Sequence, residues 1–172
     1  MNMRNILVAA GSALALSALA GSAFAAGSVT GTANASVTVL APVTITKTQD
    51  LLFGQVVRPS NASSNTVTLD TNNAVTVTGA GNGSVVASTT SSAKFNITAP
   101  AATTYTTVQS LVFTQAGLTN IAASAPVAET GTLGTIPAGG VQVIDYGGQF
   151  DMTAATTAQA YTGTLSVTVN YN

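Results

Sequence analysis

Acid–base chemistry in this chain would have to come from five carboxylates: Asp50, Asp70, Glu129, Asp145 and Asp151. There is no His and no Cys, so a nucleophile–His pair and the common zinc sites are excluded. Asp145 and Asp151 flank Gly147-Gly148 at a spacing that a two-carboxylate glycosidase would allow. Such a pair also needs a substrate cleft, and the plainer expectation is two solvent-facing carboxylates beside a Gly-Gly turn. Asp70, Asn72 and Asn73 are oxygen ligands of the kind calcium takes. The same residues make an Asx-type hairpin turn, which is the preferred reading. Gly79-x-Gly81-x-Gly83 lacks the Lys-Ser/Thr of a phosphate loop and reads as a turn. Tyr105 and Tyr146 could stack on a sugar, but are expected to pack inside a sheet protein. Asn34, Asn61, Asn82 and Asn96 begin glycosylation-type triplets, common by chance in an Asn/Ser/Thr-rich chain. We therefore expect no enzyme, no cofactor and no metal.

The segments that carry these residues are strands. Tyr161–Asn172 alternates strictly: Tyr161, Gly163, Leu165, Val167, Val169 and Tyr171 on one face, polar residues on the other. Val29–Leu40 repeats the design with a narrower apolar face of Val29, Gly31, Ala33, Ala35, Val37 and Val39. Between them, Val43–Lys47, Thr66–Leu69, Ala74–Thr78, Ser84–Ala87, Lys94–Thr98, Tyr105–Val108, Leu111–Thr114 and Val141–Tyr146 read as short strands. Asp70–Asn73 and Gly79–Gly83 read as turns. Phe150–Thr153 continues the strand beyond Gly147-Gly148, and Ala116–Gly140 is mostly loop with one or two short strands. Many short strands with frequent turn signals predict an all-β sandwich. Leu52, Phe53, Val143, Leu165 and Val167 are expected to face one interior.

The first 25 residues read as a secretory signal peptide: Arg4, the apolar run Ile6–Ala20, then Ala23-Phe24-Ala25 as the cleavage signal. That leaves residues 26–172 as one domain with no later membrane span. The reading places the protein in the periplasm in transit, then at the cell surface. Without Cys, burial and strand pairing alone must hold it together. Lys47, Arg58 and Lys94 face five carboxylates, so no basic patch suits nucleic acid. A chain that is 46% hydrophobic with so little charge is expected to fold.

The sequence resembles a secreted bacterial domain family of unknown function. Asp50-Leu-Leu-Phe-Gly54, after Pro42-Val43-Thr44-Ile45, matches its early signature. Tyr161-Thr-Gly-Thr-Leu-Ser-Val-Thr-Val-Asn-Tyr-Asn172 matches its closing pattern, with Gly139-Gly140-Val141 and Gln159-Ala160 before it. That family is similar to the common-pilus (Mat) and spore-coat-U-like fimbrial proteins. The resemblance implies an incomplete immunoglobulin-like, pilin-like sandwich. A periplasmic chaperone would supply its missing strand, and an outer-membrane usher would exchange that strand for the next subunit's. Gly163 and Tyr171 are then the Gly and near-terminal Tyr of the strand that borders the acceptor groove. Val29–Leu40 is either the donor strand for a neighbouring subunit or the first strand of a closed sandwich. In the first case the protein is a structural fimbrial subunit. In the second it is a self-complemented surface adhesin or coat protein.

Overall fold

The computed structural model describes residues 27–172, and the expected signal peptide with its cleavage signal lies outside them. The chain divides into two units at Val37/Thr38. In the first, residues 27–37 form no strand and all are exposed. In the second, residues 38–43 also lie outside any strand, with Val39 87% exposed. The strand expected over Val29–Leu40 is thus not formed within the chain. Its alternation is real, but an alternating segment becomes a strand only where an edge pairs with it.

Thr38–Asn172 is an all-β sandwich, with no helix among the described residues. Its strands are β1 (Thr44–Gln49), β2 (Gln55–Val57), β3 (Asn65–Leu69), β4 (Val75–Thr78), β5 (Ser84–Val86) and β6 (Ala93–Thr98). β7 (Tyr105–Phe113), β8 (Thr119–Ala123), β9 (Val127–Ala128), β10 (Val141–Tyr146), β11 (Gly148–Met152) and β12 (Gly163–Tyr171) complete it. One sheet has the order β1-β6-β10-β9 and another β4-β3-β11-β8; β12-β7 and β2-β5 are two-stranded ribbons. All these pairings are antiparallel. β3 and β6 alternate buried and half-buried residues through most of their length, as central strands with one face on the core and one face outward do.

The interior has two parts. Phe95, Ile97, Tyr105, Ile136, Ile144 and Tyr146 form one, with Leu165, Val167 and Val169 of β12 packed against it. Val67, Phe150 and Met152 form the other, with Phe53 and Phe113 against it. Tyr105 and Tyr146 are buried, as expected. The single shared interior is corrected in three respects. Leu52 is 45% exposed because it only bridges Ser91 beside the sheets. Val143 lies on the outer face of β10, since Gln142 and Ile144 take the inward positions. Phe53 belongs to a different cluster from Leu165 and Val167.

Gln142 is fully buried because its amide is satisfied there. Tyr105 Oη donates to its Oε1, and its Nε2 donates to Thr130 O at 3.0 Å and Thr132 O at 2.9 Å. Those bonds fix part of the loop between β9 and β10. The segments read as two strands at Tyr105–Val108 and Leu111–Thr114 are one nine-residue strand, β7. It runs in unbroken register with β12, from Tyr105↔Tyr171 to Phe113↔Gly163. Gly147 joins β10 to β11 because no side chain fits there: a Cβ would sit 2.0 Å from Leu69 O.

Candidate functional site

β12 and β1 end their sheets. β12 bonds to β7 on one side only, and β1 to β6 on one side only. Each leaves a rail of unpaired backbone groups, normally an aggregation hazard for a sheet protein. Both rails border one cavity of about 1150 Å³. One wall is Lys47, Gln49 and the segment Asp50–Arg58. The other is Thr156–Leu165. Phe95, Leu111, Phe113, Phe150 and Met152 line it as well, so apolar interior is open to solvent along this seam. Phe53, Phe113 and Phe150 form a mutual aromatic cluster there, with ring centroids 5.1 to 6.1 Å apart.

The local sequence explains the walls. Gly54 takes φ +71, a left-handed geometry that turns the chain between the Leu52 bridge and β2. β2 therefore leaves the path of β1 and pairs with β5 alone. On the other side, Thr162 N donates to Gln115 Oε1 at 2.8 Å and Thr114 N donates to Thr162 O at 2.8 Å. These bonds pin the start of β12. Two polar contacts mark the ends of the seam. Tyr171 Oη donates to Ala41 O at 2.5 Å, joining the end of β12 to the approach to β1. Arg58 Nη1 donates to Ala154 O at 2.6 Å and Thr156 O at 2.7 Å, joining the end of β2 to the turn after β11.

Of the terminal-strand residues named from the sequence, Gly163, Leu165, Val167, Val169 and Tyr171 lie in β12, and Tyr161 lies just before it. Leu165, Val167 and Val169 face the interior. Val29, Gly31, Ala33, Ala35, Val37 and Val39 are exposed and unpaired. The sequence reading missed Arg58 and the aromatic floor. The density of apolar residues at Leu51–Val57 was a signal for the floor; nothing in the sequence marked Arg58.

The chemistry weighed for the carboxylates is not assembled. Asp145 is not solvent-facing: it is 4% exposed, and its Oδ2 pairs with Lys94 Nζ at 3.2 Å. Lys94 also pairs with Glu129. Burial pushes the Asp145 carboxyl above its ordinary range and outweighs the opposing pull of Lys94. Lys94 is raised chiefly by its hydrogen bond to Glu129. Asp151 stands on the other sheet, accepting from Thr66 Oγ1 at 2.6 Å and Asn120 Nδ2 at 2.5 Å. Asp70 Oδ1 accepts from Asn72 N at 2.9 Å and Ala74 N at 2.8 Å, the Asx turn, with Asn73 at φ 66. No group of metal-ligating side chains occurs among the described residues.

No curated protein and no solved structure matches the chain significantly. A family model, described as "Domain of unknown function (DUF4402)", matches residues 43–171. That span begins at the edge of β1, ends on the last residue of β12, and so takes in both rails and the cavity between them. On that match, the chain belongs to the DUF4402 family.

Proposed function

We propose that this protein is a structural subunit of a bacterial surface fimbria, assembled by β-strand donation. The observation that carries the reading is the apolar seam between β1 and β12, bordered by two unpaired strand edges. A strand laid there would gain backbone bonds on both sides and cover the aromatic floor. The same chain offers such a strand in Val29–Leu40, which is alternating, exposed and unpaired. Its small central residues, Gly31, Ala33 and Ala35, suit a floor already filled by phenylalanine rings. A contact in which each copy gives its arm to one neighbour and receives another's is head-to-tail, and makes an open fibre where it does not close on itself.

The domain is then an immunoglobulin-like, pilin-like sandwich lacking one strand. Export by the signal peptide, cover by a periplasmic chaperone and exchange at an outer-membrane usher complete the proposal. The unpaired arm speaks against the alternative of a self-complemented adhesin or coat protein, in which Val29–Leu40 would close its own sandwich.

Deleting Val29–Leu40 from the mature chain tests the proposal. The expected product is an aggregation-prone monomer, stabilised by a synthetic peptide of residues 29–40, with fibres lost from cell-surface shear fractions by electron microscopy. A deletion protein that is stable, monomeric and indifferent to the peptide would overturn it.

A further inference from the structure

We infer that Arg58 is a clasp that gates strand entry into the seam, with the β2–β5 ribbon as the moving wall. The inference rests on the strand-donation reading and adds a residue that controls its rate.

Arg58 differs from the two lysines. Lys47 pairs with Asp50, and Lys94 with Glu129 and Asp145. Among the described residues, no carboxylate pairs with Arg58; Nη1 bonds only to the two carbonyls, Ala154 O and Thr156 O. Hydrogen bonds from a charged donor are short and strong, which matches the distances of 2.6 and 2.7 Å. The acceptor turn is rigid. Thr156 N donates to Thr153 O at 3.0 Å, Thr153 N to Thr156 Oγ1 at 2.9 Å, and Thr156 Oγ1 to Gly117 O at 3.0 Å.

The donor side is held far less. β2 and β5 are three residues each and pair only with one another. Gly54 lies before β2 with a backbone geometry that other residues resist. Val57, Val85 and Val86 are exposed, and within the ribbon only Val56 packs against the interior, with buried Pro59 following Arg58. Arg58 is thus a tie between a lightly held wall and a fixed one, at one end of the cavity. An incoming strand needs about 4.8 Å to the edge on each side. Opening the clasp lets the wall give way, and closing it again hinders the strand's departure.

The test uses the full mature chain kept monomeric by Ala35→Arg, so that no neighbour's arm fills the seam, and a fluorescein-labelled peptide of the unaltered residues 29–40, with binding followed by anisotropy. Arg58→Met should speed both association and dissociation by about tenfold, since charge-assisted bonds are lost from the closed state. Arg58→Lys should stay near the wild-type rates, because one ammonium, like one Nη1, can donate to both carbonyls. A merely structural arginine would lower the melting temperature and leave both rates unchanged. Unchanged rates with peptide still binding would overturn the gate and leave strand donation standing. Failure of every variant, wild type included, to bind peptide would overturn both. Should Arg58→Met not fold, amide exchange on the monomeric Ala35→Arg chain with Arg58 intact decides. The gate requires β2 and β5 amides to exchange faster than those of β3 and β11, and equal protection would refute it.

Discussion

Replacing Phe53 by Ala distinguishes an open seam from a closed core. Truncating a buried Phe costs about 3–5 kcal/mol, from lost transfer energy and the cavity left behind. Phe150 is 5% exposed and should show that full cost. Phe53 lies 5.1 Å from it, ring to ring, and meets it edge-on, but is only partly buried. Part of its surface, though less than half, is already in water, so its truncation should cost less than that of Phe150, about 2–3 kcal/mol in the monomer, on the same area argument. The assay is urea unfolding of each single variant and the double variant, in a chain kept monomeric by Ala35→Arg. The double variant is needed because touching rings are not additive. In assembled material the Phe53→Ala penalty should rise towards that of Phe150→Ala, because a strand then covers the ring. Equal costs for the two in the monomer would mean that Phe53 is already buried and the seam is not open.

Three further outcomes follow from the same structure. Gln142→Leu should destabilise by about 1–3 kcal/mol for each group left unpaired, measured by urea unfolding, since Tyr105 Oη and two carbonyls lose their partner. Gly147→Ala should prevent accumulation of folded protein, followed by soluble yield and circular dichroism, because Leu69 O occupies the space. The contribution of Lys94 should depend on pH in one direction. Its folded pKa is raised, so the stabilisation is whole below the ordinary lysine range, near 10.4, and fades as pH climbs through the folded value. The difference in urea midpoint between wild type and Lys94→Met should hold from neutral pH to that range and shrink beyond it. A difference that grew there would contradict the pairing with Glu129.

The strands were legible where one face was wet. β12 and the β3–β4 hairpin alternate cleanly because one side meets core and the other solvent, and Asp70 announced its turn through its own side chain. β10 misled for the opposite reason. Val141 and Val143 look like the inward pair, yet Gln142 is the buried residue, and only a hydrogen-bonding site contributed by distant residues makes that tolerable. The aromatic cluster was equally hidden, because Phe53, Phe113 and Phe150 come from three distant segments. Arg58 could not be singled out, since its acceptors are backbone carbonyls nearly a hundred residues on, and backbone atoms carry no sequence signal. The arm shows the reverse case. Its pattern says strand, yet it forms none here, and under the strand-donation proposal its pairing partner is another copy.

The bond from Tyr171 to Ala41 has a mechanical consequence. It ties the last residue of β12 to the point where the chain enters β1. In the proposed fibre, tension along the arm would reach the domain at a junction of its first and last strands. Beyond that junction β1 is held antiparallel to β6 from Thr44↔Thr98 to Gln49↔Lys94. A pull along the strand axis loads those bonds side by side, in shear, instead of peeling them one at a time. Tyr171→Phe would leave the strand ladder intact but let the load reach Thr44 directly, so the hydroxyl's work would show as a lower rupture force under stretching and only a small change in melting.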